Sequence, residues 1–155
     1  MAARSSLLFA QGQDHSFADR KSFVIVHELV NFAAMKREYI RTIQVFEGHF
    51  IEFKKTLSKD ILKKMYQVFM LIMTVEMVPA KFLKPITSVK DLYEIRIEEG
   101  GNIFRVFCCF DEGKLIILFN GIQKKSQKTP KEALDKAETL MKKYFDLKKE
   151  QENEI

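Results

Sequence analysis

Residues 92–120 read LYEIRIEEGGNIFRVFCCFDEGKLIILFN, and this stretch decides the fold. Residues 92–98 alternate in polarity, Gly100-Gly101-Asn102 turns the chain, and residues 103–111 run back. Glu112-Gly113 turns again, and residues 114–120 give a third strand. Glycine supplies the positive φ that a tight hairpin turn requires, so three short apolar strands joined this way imply an antiparallel meander. Period-2 alternation puts Tyr93, Ile95 and Ile97 on one face and Leu92, Glu94, Arg96 and Glu98 on the other. In the next strand Arg105 shares a face with Ile103, Phe107 and Cys109. A close turn at Gly100-Gly101 would bring Arg96 and Arg105 to one open face, with Lys124 and Lys125 reaching the same end and Lys128 nearby.

Outward from the meander the period changes. After a polar loop over 121–129, Thr129-Pro130-Lys131-Glu132 reads as a helix start, with Thr129 as N-cap, Pro130 at the first helical position and Glu132 closing a capping box. Ala133, Leu134, Ala137, Leu140, Met141 and Tyr144 then mark one helical side, ahead of a charged tail at 151–155. Upstream, residues 41–46 (RTIQVF) read as a short strand, and residues 49–57 carry Phe50, Phe53 and Leu57 at helical spacing. Ser58 caps a helix over 59–77, closed by Pro79, whose Met65, Met70, Met73 and Met77 stripe reads as core filler. The pattern predicts an α+β domain with helices on one face of an antiparallel sheet. Residues 35–150 form the domain, and Met35 reads like a natural start. Residues 1–34 are either an extension outside it or an added helix, with 23–34 amphipathic.

The chain has 155 residues, enough to bury a core without disulfide or metal staples. Adjacent Cys108 and Cys109 point to opposite faces of a strand, so they make no disulfide framework. His15, His27 and His49 lie far apart and lack Cys partners, which leaves no metal-ligand spacing and no cofactor motif. The longest apolar stretch, 68–78, contains Glu76, and the first residues do not form a signal peptide. The expectation is a soluble cytoplasmic protein without a membrane partner.

Net charge is +5, and residues 114–131 hold Lys114, Lys124, Lys125, Lys128 and Lys131 with no acid. One local basic block suggests a polyanion site rather than a generally sticky surface. Arginine forks match phosphate bidentately, so Arg96 and Arg105 would suit a phosphate. The interleaved Glu94 and Glu98 could equally pair them as a salt-bridge ladder, and the pattern alone leaves both readings open.

The ordered set Leu92-Tyr93-Glu94-Ile95-Arg96, Phe104-Arg105-Val106, Gly121-Ile122-Gln123-Lys124-Lys125-Ser126-Gln127-Lys128-Thr129-Pro130 and Ala137 resembles the phage-derived HigB-like toxins of the RelE superfamily. The resemblance covers roughly residues 41–144. It implies a RelE-like fold, with two N-terminal helices and a C-terminal helix packed on an antiparallel β-sheet. It also implies an endoribonuclease that cuts messenger RNA, commonly on the ribosome, and that a co-encoded helix-turn-helix antitoxin neutralises. By resemblance, Arg105 matches the phosphate-contacting arginine, Arg96 a basic residue on the preceding strand, and Lys124 or Lys125 the basic position after the last strand.

The chemistry so implied is attack by a ribose 2′-OH on the adjacent phosphate, which needs a base, a proton donor to the 5′-oxygen and cations on the phosphorane. It needs no metal. Arg96, Arg105 and Lys125 are the expected catalytic residues, and Lys124, Lys128, Glu94 and Gln127 the expected RNA-binding ones. Some superfamily members use a Tyr or His near the C-terminal end, but no His follows His49, and Tyr144 falls on the core side of its helix. Glu94 is a candidate base or else an orienter of the arginines, and Phe119 or Tyr93 could stack a base or fill the core. Two other classes compete: a non-catalytic RNA- or ribosome-binding module with the same basic groove, and a domain whose lysine loop meets an acidic protein.

Overall fold

A computed structural model describes residues 38–155. The expectations for 1–34, including the helix over 23–34, lie outside these residues. The elements run β1 (Thr42–Val45), α1 (His49–Lys55), α2 (Lys59–Thr74), β2 (Leu83–Pro85), β3 (Leu92–Glu99), β4 (Asn102–Asp111), β5 (Leu115–Lys124) and α3 (Lys131–Asn153). Gly100 and Gly101 both take positive φ, 58° and 78°, which closes β3 onto β4 in a turn whose twist suits a hairpin. Glu112 and Gly113 repeat this between β4 and β5, at 53° and 76°.

The sheet order is β1-β5-β4-β3-β2. The meander is antiparallel as expected, but β1 runs parallel to β5, with Ile43 opposite Ile116 and Val45 opposite Leu118. The sheet is therefore mixed rather than antiparallel. Strand β2, which the sequence reading omitted, adds an edge beside β3. Its three residues include Pro85, a residue confined to edges because it cannot donate to a ladder.

The helices do not share one face. Ile43, Val45, Ile95, Ile97, Phe104, Val106, Cys108, Ile116 and Leu118 pack under α1 and α2, while Leu92, Phe107, Cys109, Ile117 and Phe119 pack under α3. This corrects the one-face layout, and the reason lies in β4 and β5. Their VFCCF and LIILF runs are continuously apolar because the strands are covered on both sides.

Ser58 caps α2, its hydroxyl accepting from the Ile61 amide at 3.4 Å. The helix stops at Thr74, short of Met77, because Arg41 takes over its end. The Arg41 guanidinium donates to the carbonyls of Ile72, Val75 and Glu76 at 3.0, 2.6 and 2.6 Å, satisfying acceptors that a helix C-terminus leaves open. Met65 and Met73 are core as expected, but Met77 is exposed beyond that stop. At the start of α3, Pro130 occupies the N-cap position and no side chain caps the helix, so the expected Thr129 cap is not formed.

Candidate nucleic-acid interface

On the face that α3 covers, three rows of side chains cross the meander. Glu98 pairs with Ile103, and Ile103 with Lys124. Arg96 pairs with Arg105, and Arg105 with Ile122. Glu94 pairs with Phe107. Directly paired residues point to the same side, so the two arginines stand next to each other on one face.

The first turn of α3 meets the sheet at Asn120, whose Nδ2 donates to the Ala133 carbonyl at 3.2 Å, and Ile122 packs against the apolar cluster beneath the same helix. The arginine row lies past that point, toward the Gly100-Gly101 turn. Strand β5 shifts register between Val106 and Cys108, where three steps on β5 match two on β4. The bulge sets Ile122 and Lys124, rather than Gly121 and Gln123, on the arginine side. Gly121 then faces α1, where a Cβ would collide with the Phe53 ring.

The arginines and acids form one cluster. Arg105 is only 2% exposed; its Nη1 donates to the Phe104 carbonyl at 2.9 Å. Its Nε lies 3.6 Å from Glu94 Oε1, and its Nη2 lies 3.8 Å from Glu98 Oε1. Arg96 Nε lies 3.5 Å from that same Glu94 oxygen. Separations of this length are ion pairs rather than hydrogen bonds, and neither Nε has a hydrogen-bond acceptor among the described residues. Burial, and next the charge of Arg96, lower the Arg105 pKa, with Glu94 and Glu98 opposing. Guanidinium starts so high that Arg105 stays a cation. Two like charges directly across a sheet repel, and Glu94 between them offsets that repulsion.

Lys124 belongs to β5 rather than to a loop, which extends the strand beyond the expected end at Asn120. Its Nζ donates to the Gln127 carbonyl at 2.8 Å, and Ser126 Oγ donates to the Lys128 carbonyl at 3.1 Å. These bonds fold the lysine segment back at the end of the strand. Lys125, Gln127 and Lys128 are exposed there, beside the arginine cluster rather than in it.

Other candidates fall elsewhere. Tyr144 is buried, and its hydroxyl donates to Asp111 Oδ2 at 2.7 Å at the far end of the sheet. Phe119 is fully buried, and Tyr93 meets Phe110 edge-on at 5.0 Å, so both serve the core. The thiols are buried; Cys108 is pushed well up and Cys109 to about 12, chiefly by burial, which leaves both protonated and poorly nucleophilic. Among the described residues no group of three or more His, Cys, Asp or Glu is placed to hold a metal ion. Among the same residues no helix is long and apolar enough to cross a membrane. Sequence reasoning missed the Asn120 bond and the bulge, which announce themselves only as an Asn-Gly pair inside an apolar run.

The fold and the cluster together define a small α+β domain with a cationic row at the open end of its sheet. The family model described as phage derived protein Gp49-like (DUF891) matches residues 51–142. The chain belongs to this family, a toxin-like family of the RelE/HigB type. No curated protein matches the chain.

Proposed function

We propose that the protein is the toxin of a toxin–antitoxin pair, an endoribonuclease that cuts messenger RNA on the ribosome through attack by the ribose 2′-OH. The observation that carries this reading is the direct pairing of Arg96 with Arg105, on the face and at the end of the sheet that bear Lys124. Adjacent guanidinium groups at the Gly100-Gly101 end of the sheet suit the charge that builds on a phosphorane. Arg96 contacts the phosphate, and Arg105 stabilises the transition-state charge from beneath it. Lys125 supplies a proton to the 5′-oxygen, while Lys124, Lys128 and Gln127 hold the RNA backbone. Glu94, lying between the two Nε atoms, orients the arginines, and water takes up the 2′-OH proton as the new P–O bond forms. A small helix-turn-helix antitoxin neutralises the enzyme, which works in the cytoplasm and uses no cofactor.

Mapping messenger 5′ ends after incubation with translating ribosomes tests this. The intact protein should produce discrete cuts, and Arg96→Ala should abolish most of them. An acidic neighbouring gene product should copurify on co-expression and restore growth. The burial of Arg105 among carboxylates favours a second reading, a binding module for RNA or the ribosome without chemistry. Salt-sensitive RNA binding without cuts would select it.

A further inference from the structure

The two carboxylates of the arginine cluster are not equivalent. Glu94 is 12% exposed, and one of its oxygens meets both Nε atoms. Glu98 is 62% exposed and has a single, longer contact, 3.8 Å to Arg105 Nη2. It sits one position from the end of β3, opposite Ile103 and next to the Gly100-Gly101 turn. Its exposed side chain reaches Nη2 of a guanidinium that is otherwise buried. Of the two carboxylates at Arg105 it is the one open to solvent.

We propose that Glu98 is a displaceable counter-ion that occupies the place of an RNA phosphodiester on Arg105, while Glu94 remains as the positioning residue that holds both forks. The inference rests on the RNA-phosphate reading of this site and adds how that site is kept neutral when empty. With Glu98 in place, two guanidinium cations face two carboxylates. Exchanging the carboxylate for a phosphodiester, which also carries one negative charge, leaves that count unchanged. The exchange needs only rotation of an exposed side chain, since the contact is too long to be a hydrogen bond.

The Nε–H resonances of Arg96 and Arg105, followed by NMR in the full chain during titration with dimethyl phosphate, test this directly. Glu98→Gln removes the competing charge and keeps the side-chain size. Glu99→Gln removes the same net charge from the opposite face of β3 and serves as control. The Arg105 signal should move on titration, and its half-saturation should fall about five-fold in Glu98→Gln, the scale of one partly exposed ion pair. Glu99→Gln should leave it unchanged. Glu94→Gln should broaden or shift both arginine signals before any phosphate is added. Equal half-saturation in the intact chain, Glu98→Gln and Glu99→Gln, or an Arg105 signal that never moves, overturns the proposal. Messenger cleavage is measured separately: a protein that shows the Glu98 effect and cuts no RNA would fail the ribonuclease reading and keep this one.

Discussion

The face of the sheet under α3 carries a charged cluster at each end, and the two are built differently. At the far end Asp111 accepts from Tyr144 at 2.7 Å and from Lys148 at 2.8 and 3.0 Å, with Lys148 also reaching Glu112 at 3.0 Å. Those are hydrogen bonds at ordinary lengths, made beneath the last turns of α3. At the near end Arg96, Arg105, Glu94 and Glu98 stand 3.5–3.8 Å apart, with both Nε donors unpartnered. A closed cluster has nothing left to offer a ligand. A looser one, held only at ion-pair length, can exchange its exposed carboxylate, Glu98, for an outside anion at Arg105 Nη2.

The contrast can be broken at either end. Asp111→Ala should have the largest effect and should fall on stability, a loss of about 3 kcal/mol, because it strands a buried hydroxyl and an ammonium together. Urea titration would measure it, and the folded fraction should still cut RNA. Arg96→Ala should do the reverse. Cleavage should fall on the order of 100-fold, the scale of one cation on the reacting phosphate, while the melting temperature hardly moves because that side chain is 28% exposed and Glu94 keeps Arg105 as a partner. If Arg96→Ala lowers stability as much as Asp111→Ala, the two ends are alike and the near end is merely structural. Gly121→Ala should cost about 2 kcal/mol by forcing the Phe53 ring aside, and Phe53→Leu should recover part of it.

The meander was legible because two Gly-containing turns and the alternation in β3 are local signals, and from them the shared face of Arg96 and Arg105 followed. The split of the helices between two faces was written in the same residues but is harder to extract. Cys108 and Cys109 are both fully buried, and a doubly covered strand has no polar side to give its phase. Parallel pairing of β1 with β5 joins segments far apart in sequence, and no local pattern encodes it. At the site, the carboxylates among the arginines were visible, but their inequality depends on distances and exposure. The sequence set Tyr144 on the core side of its helix and offered Lys124 for RNA binding, and only the structure shows one bonded to Asp111 and the other to the Gln127 carbonyl.

The comparison also sharpens through pH. Cys109 moves from 9.0 to about 12, first through burial and then through the charges of Asp111 and Asp91. Tyr144 is raised far above its ordinary 10.0 by burial and by Asp111. Both are acids whose neutral form the fold prefers. Above pH 9 the unfolded chain releases the Cys109 proton while the folded one keeps it, so unfolding gains and stability falls until the folded thiol also ionises near pH 12. Tyr144 adds the same sign of slope from pH 10 upward. Each such proton contributes about 1.4 kcal/mol per pH unit. Arg105 contributes nothing there, since it remains a cation throughout. Denaturant midpoints measured from pH 8 to 11 should therefore decline from about pH 9. Cys109→Ala should remove part of that decline, leaving the share of Cys108, which burial also raises well above 9.0, while Arg96→Ala leaves the whole decline intact. A decline that persists undiminished in Cys109→Ala would assign the alkaline sensitivity to Cys108 and Tyr144 rather than to Cys109.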